Sequence, residues 1–261
     1  MLLLCAAAFL AVSCDKEPDP TPADPANPSD TTQTEYPPTA DVIYNAVTDY
    51  DGNSYDAVRI GSQVWMASNL RTTHYANGEA IPDGGENLSE TQSYRYQCTG
   101  TTDLSSYGYL YNWPAAMHGA VSSEANPSGV QGICPNGWHV PSDAEWTQLT
   151  DYCAGNPECV CSGNGSNIAK SLAADHDWNL STNECAVGND LSANNATGFS
   201  ALPAGGYYGS YSYFGYYACF WSATELSSSG RTRRYLTYDN ANVGRDGAYK
   251  GHGHSVRCVR D

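Results

Sequence analysis

Apolar residues in this chain come in short runs cut by turns, and one stretch keeps a helical period. Asp51-Gly52-Asn53 and Gly61-Ser62-Gln63 read as turns that bracket short strands at Tyr55–Ile60 and Val64–Ala67. Ser142-Asp143-Ala144-Glu145 is a capping box: the Ser142 hydroxyl covers the third amide and Glu145 reaches back. Trp146, Leu149 and Cys153 then fall at i, i+3 and i+7 on one stripe, and Gly155 supplies the stop. A second short helix is predicted from Asn167 to Ala174. Tyr109-Leu110-Tyr111-Asn112-Trp113 fits either a strand or a first helical turn. After Gly198 the pattern is short strands between glycine-rich loops, with Val256 and Cys258 on one face of the last strand and Arg257 on the other. No internal repeat is visible.

The opening MLLLCAAAFLAVSC is apolar for about 13 residues, too short for a permanent span and suited to a secretory signal. Ala11-Val12-Ser13-Cys14 resembles a bacterial lipobox, which predicts a signal over 1–13, lipid on Cys14 and attachment to a membrane through it. Residues 15–40 hold seven of the 14 prolines and six acids against one lysine. Such a segment has no apolar area to bury and favours extended polyproline II, so 14–40 reads as a disordered tether and 41–261 as the domain. The acids after Cys14 resemble surface-export signals of Bacteroidota lipoproteins, an address on the outer membrane and the cell surface.

The whole chain of 261 residues carries 12 basic and 28 acidic residues, a formal charge of −16. That balance excludes general nucleic-acid binding, which needs a basic footprint to displace counterions. Residues 231–261 differ: seven cations face three acids, a local +4 that leaves −20 on the first 230. With Cys5 in the signal and Cys14 lipidated, eight cysteines remain, an even set that predicts up to four disulfides in an exported chain. Cys153, Cys159, Cys161 and Cys185 are the alternative zinc ligands, but their spacing matches no common zinc knuckle.

Several blocks together resemble one family: DGNSYDAVRIGSQVWMASNL (51–70), GYLYNW (108–113), ICPNGWHVPSDAEWTQL (133–149), GFSALPAGGY (198–207), FWSATE (220–225) and SVRCVRD (255–261). They resemble the Fibrobacter succinogenes major paralogous domain, found in exported bacterial lipoproteins. That family is similar in turn to the formylglycine-generating branch of the C-type lectin fold. The resemblance implies an α+β, C-type-lectin-like domain with two main helices, an irregular antiparallel sheet, and a bridge between Cys134 and Cys258.

The enzymatic motifs do not carry over. The reactive cysteine pair of the formylglycine-generating enzymes is unmatched, since the stretch after Cys185 offers only Cys219 and Cys258. No G-x-S-x-G, H-E-x-x-H or P-loop occurs. Asp175-His176-Asp177 and His252-Gly253-His254 are the nearest approaches to metal ligands, and Trp178-Asn179-Leu180 lacks the context of a calcium lectin motif. The expectation is therefore a binding protein, not an enzyme, with no cofactor and no metal. Its most informative stretch is GGYYGSYSYFGYYACFW, with six tyrosines among Gly and Ser, a composition shared with antibody binding loops. Candidate contacts are Tyr208, Tyr211, Tyr213, Tyr216, Arg233, Tyr235, Tyr238, Asn240, Asn242, Arg245 and Tyr249. A basic, tyrosine-rich zone suits a glycan, peptide or protein carrying carboxylate or sulfate groups. The alternatives are a retroelement-diversified receptor, whose asparagine-rich loop near Tyr238–Gly253 would be the variable segment, and a pilus-tip or structural envelope component.

Overall fold

In the computed structural model, residues 36, 37, 39–98, 103–227 and 230–261 are described. The expected signal, Cys14 and the tether as far as Glu35 lie outside the described residues. The C-terminal strand organises the larger sheet. Strands β1 (Asp41–Thr48), β2 (Ser54–Ile60) and β3 (Gln63–Met66) form a meander, and β12 (Val259–Arg260) pairs beside β3. On the far side of β12 lies β6 (Trp138–His139), so Val259 stands between Trp65 and His139 and the order is β1-β2-β3-β12-β6. Cys258, one residue before β12, is bridged to Cys134 across 124 residues of sequence. Closing a loop of that length removes roughly 4–5 kcal/mol of unfolded-state entropy in the chain-entropy model.

A second sheet has the order β11-β10-β9, from β9 (Tyr217–Glu225), β10 (Arg231–Thr237) and β11 (Gly244–Ala248). Two-stranded ribbons pair β4 (Arg95–Gln97) with β5 (Tyr109–Tyr111), and β7 (Gly206–Tyr207) with β8 (Tyr211–Ser212). The aromatic stretch at 109–113 is strand and helix in succession. Asn112 ends β5 and caps α2 (Trp113–Met117) by accepting from the Ala115 amide. Another single-turn helix, α1 (Leu104–Tyr107), precedes β5.

Helix α3 (Asp143–Gly155) has both halves of the predicted capping box, worth about 1 kcal/mol at the Ser142 position. Its stripe of Trp146, Leu149 and Cys153 is buried. Trp146 meets Trp65 of β3 at 4.6 Å and Phe220 of β9 at 5.5 Å between ring centres, so α3 joins the two sheets. The second predicted helix shrinks to one turn, α4 (Ala169–Leu172), because Ala173 turns extended to pair with Ala201. The antiparallel, disulfide-bridged character holds, with two bridges among the described residues, Cys134–Cys258 and Cys161–Cys185. The latter joins two of the cysteines considered for zinc.

Arg257 is fully buried between the sheets. Its guanidinium donates to Asn69 Oδ1 at 2.8 Å and to the carbonyls of Met66, Phe199 and Ser200, and lies over the Phe199 ring. The hydrogen bonds replace its lost hydration, although burial still pulls its pKa down.

Candidate binding face

Strand alternation divides the C-terminal sheet into two faces. On one, Arg233 stands opposite Trp221 and Asp246, and Tyr235 stands opposite Cys219 and Gly244. On the other, Arg234 stands opposite Phe220 and Arg245, and this face meets α3. Gly244 has a specific reason to be glycine: the Tyr235 ring lies where a β-carbon would stand, so the ring can recline across β11.

Along the first face the rings form a continuous run. Tyr235 is 6.3 Å from Tyr217, which is 5.3 Å from Tyr213. Tyr213 is 5.7 Å from Tyr208, Tyr208 is 4.8 Å from His252, and His252 is 5.3 Å from Tyr249. Tyr213 and Tyr249 are 55 % and 40 % exposed, so the run is presented to solvent at two points. Most of these contacts are edge-on, a geometry that aromatic quadrupoles favour.

Beneath the rings the floor is polar and carries no net charge. Arg233 makes a forked pair with Asp246, 2.7 and 3.1 Å, and donates to the Tyr208 hydroxyl at 3.2 Å. Its Nη1 also lies 3.7 Å from Cys219 Sγ. Burial pushes the Cys219 thiol up to about 11, despite the opposing pull of Arg233, and burial likewise raises the Tyr208 phenol. His254 is fully buried with its ring 4.5 Å from Trp221, and neither ring nitrogen has a hydrogen-bond partner. Burial, then Arg233 and His252, hold it well below the usual histidine value, and burial followed by Arg233 lowers His252. Among the described residues no group of three or more His, Cys, Asp or Glu converges as a metal site.

The structure brings five of the eleven predicted contacts onto this face: Tyr208, Tyr213, Arg233, Tyr235 and Tyr249. The other six lie elsewhere. Tyr211 turns inward, donating to the Ala204 carbonyl at 2.6 Å and lying beside Cys98. Tyr216 and Tyr238 pair with each other at 5.2 Å. They sit by a loop where Gly188 and Val187 donate to the Tyr238 and Asn240 carbonyls, and the Asn240 side chain accepts from the Asn242 amide. Arg245 is on the reverse face, paired with Asp143 of α3 at 2.7 Å. Tyr217, His252 and Asp246 were missed. Tyr217 follows from extending the two-residue alternation of Cys219 and Trp221, whereas His252 reaches the face through a loop with no period.

Most cations of the expected basic zone are paired, three of their acids lying outside residues 231–261. Arg231 pairs with Glu225, Arg233 with Asp246, Arg234 and Arg245 with Asp143, and Lys250 with Glu90. Arg257 is buried among carbonyls. Charge counted along the sequence gave a cationic patch because Glu90, Asp143 and Glu225 all precede residue 231.

No curated protein and no solved structure matches this chain. One family description does, over residues 58–260, a span that contains both sheets from β3 onward, both bridges and every residue of the aromatic run. The chain therefore belongs to the Fibrobacter succinogenes major domain family.

Proposed function

We propose that this chain is a lipoprotein of the outer membrane, anchored through Cys14, whose C-type-lectin-like domain binds an external glycan without turning it over. The observation that carries this is the aromatic run from Tyr235 to Tyr249 over a floor whose Arg233 is paired with Asp246. Tyrosine faces stack on the apolar faces of sugar rings, and their hydroxyls meet the sugar hydroxyls. The neutralised Arg233 leaves no cation unpaired on the face, which favours neutral sugars over carboxylate or sulfate esters. The place of β12 beside β3, locked by Cys134–Cys258, supports the lectin-like reading by bringing the domain's two ends into one sheet.

The test is a glycan array probed with the purified chain lacking lipid, beside a protein array. Binding to neutral oligosaccharides that is lost in Tyr208→Ala and insensitive to salt supports the reading. Binding confined to sulfated glycans or to envelope proteins overturns the ligand class, and no binding on either array overturns the function. Palmitate labelling abolished by Cys14→Ala supports the anchor, and labelling that survives the substitution refutes it.

A further inference from the structure

We propose that Cys153 and Cys159 form a third disulfide, made by exchange with a small external disulfide that enters beside Cys159. Cys153 sits in the last turn of α3, and Cys159 follows a turn in which its amide donates to the Asn156 carbonyl at 2.9 Å. Both side chains are buried in the same core, and two successive turns, with the Asn156 amide on the Cys153 carbonyl at 3.2 Å and the Cys159 amide on the Asn156 carbonyl, fold the segment back on itself so that the two thiols interact. The backbone turns and the shared core bring the pair together in space, which separates it from cysteines merely close in sequence. Cys161, two residues on, is bridged to Cys185, so this corner of the domain already holds one oxidised pair.

Access is the second observation. Cys159, together with Tyr152, Asn156 and Glu158, lines a cavity of about 230 Å³ that is open to solvent. Cys153 lies behind it at 0 % exposure. The shared hydrogen bond raises the Cys153 thiol and lowers that of Cys159. Cys159, the residue that lines the cavity, is thus also the one that releases its proton first.

The chemistry balances as two successive exchanges. Cys159 thiolate attacks one sulfur of the external disulfide, forming a mixed disulfide and expelling one thiolate, which takes up the proton Cys159 gave. Cys153 then loses its proton and attacks Cys159 Sγ, forming the Cys153–Cys159 bond and expelling the second thiol. Two protein thiols are oxidised and one external disulfide is reduced to two thiols.

The experiment incubates the folded chain with oxidised glutathione, blocks remaining thiols after denaturation, and maps bridges by mass spectrometry without reduction. The expected result is a Cys153–Cys159 linked peptide, with Cys134–Cys258 and Cys161–Cys185 retained and Cys219 recovered as a blocked thiol. Cys153→Ser is expected to trap glutathione on Cys159, whereas Cys159→Ser leaves Cys153 unmodified. Recovery of both residues as thiols in the wild-type chain overturns the proposal, as does pairing of either with Cys161, Cys185 or Cys219. The wild-type map stands alone if either variant fails to fold.

Discussion

The two faces of the β9–β10–β11 sheet use one strand register for opposite ends. Toward α3, Phe220 fills the space against Trp146 and Phe199, and Arg234 and Arg245 both grip Asp143, although the buried Trp146 Nε1 and Thr232 Oγ1 stay without hydrogen-bond partners. Toward the aromatic run, tyrosine rings stand partly in solvent, and among the described residues the buried His254 ring nitrogens have no hydrogen-bond partner. Ring packing against a helix and ion pairs to it are found on the first face. The second keeps unspent polar and aromatic capacity, the pattern expected where local consistency gives way to binding.

Substitutions can break this contrast. Phe220→Ala is expected to remove about 3–5 kcal/mol of stability in urea unfolding while the folded fraction keeps its ligand affinity. Equal loss of affinity would show that the faces are coupled. Asp143→Ala leaves the buried Arg234 without its carboxylate and is expected to cost about 3 kcal/mol by the same measurement, again with binding retained.

Two buried histidines sharpen the contrast through pH. His254 is held below its unfolded value, so its folded form resists the proton. Stability is kept above about pH 6.5 and falls below it, by at most about 1.4 kcal/mol per pH unit. His254→Leu is expected to flatten that acid limb. His139 lies on the α3 side between Glu145 and Asp261, 2.6 Å from each. Burial opposes its charge, but the two carboxylates outweigh burial and raise its pKa. Its contribution is complete below about pH 6.5 and is lost as pH rises through the raised value, so His139→Gln should flatten the alkaline limb instead. Denaturation midpoints measured from pH 4 to 9, roughly the range in which histidine titrates, check both signs.

The smallest stability effect is expected at the most exposed ring of the run. Tyr213→Ala should change unfolding by no more than about 0.5 kcal/mol. Calorimetry with the array-selected ligand should nevertheless show about tenfold weaker binding.

Where the sequence carried a local physical rule, the structure follows it. The capping box at Ser142 placed α3 to the residue, and the turns at Gly52 and Gly61 bounded β2 and β3 closely. Asn167–Ala174 misled because pairing of Ala173 with Ala201 overrides helix propensity, a long-range contact that no local window contains. The candidate site was legible as composition but not as geometry. Tyrosine content marked the region, yet the strand period decides that Arg233 and Tyr235 face the rings while Arg245 faces Asp143. The supposed cationic face failed for the same reason, since two of its pairing acids, Glu90 and Asp143, come from distant segments and a third, Glu225, from the neighbouring strand.

The insertion of β12 between β3 and β6 also bears on how the chain is made. The larger sheet is in two pieces until Val259 and Arg260 arrive, because β3 and β6 each pair with β12 and not with each other. Vectorial synthesis therefore delivers β1–β3 long before the strand that joins them to the rest. The β3 edge stays open until that strand is made, a template for unwanted pairing in the meantime. Loss of Cys258, Val259 and Arg260 would therefore remove at one stroke the strand that joins the two pieces and the bridge that closes them.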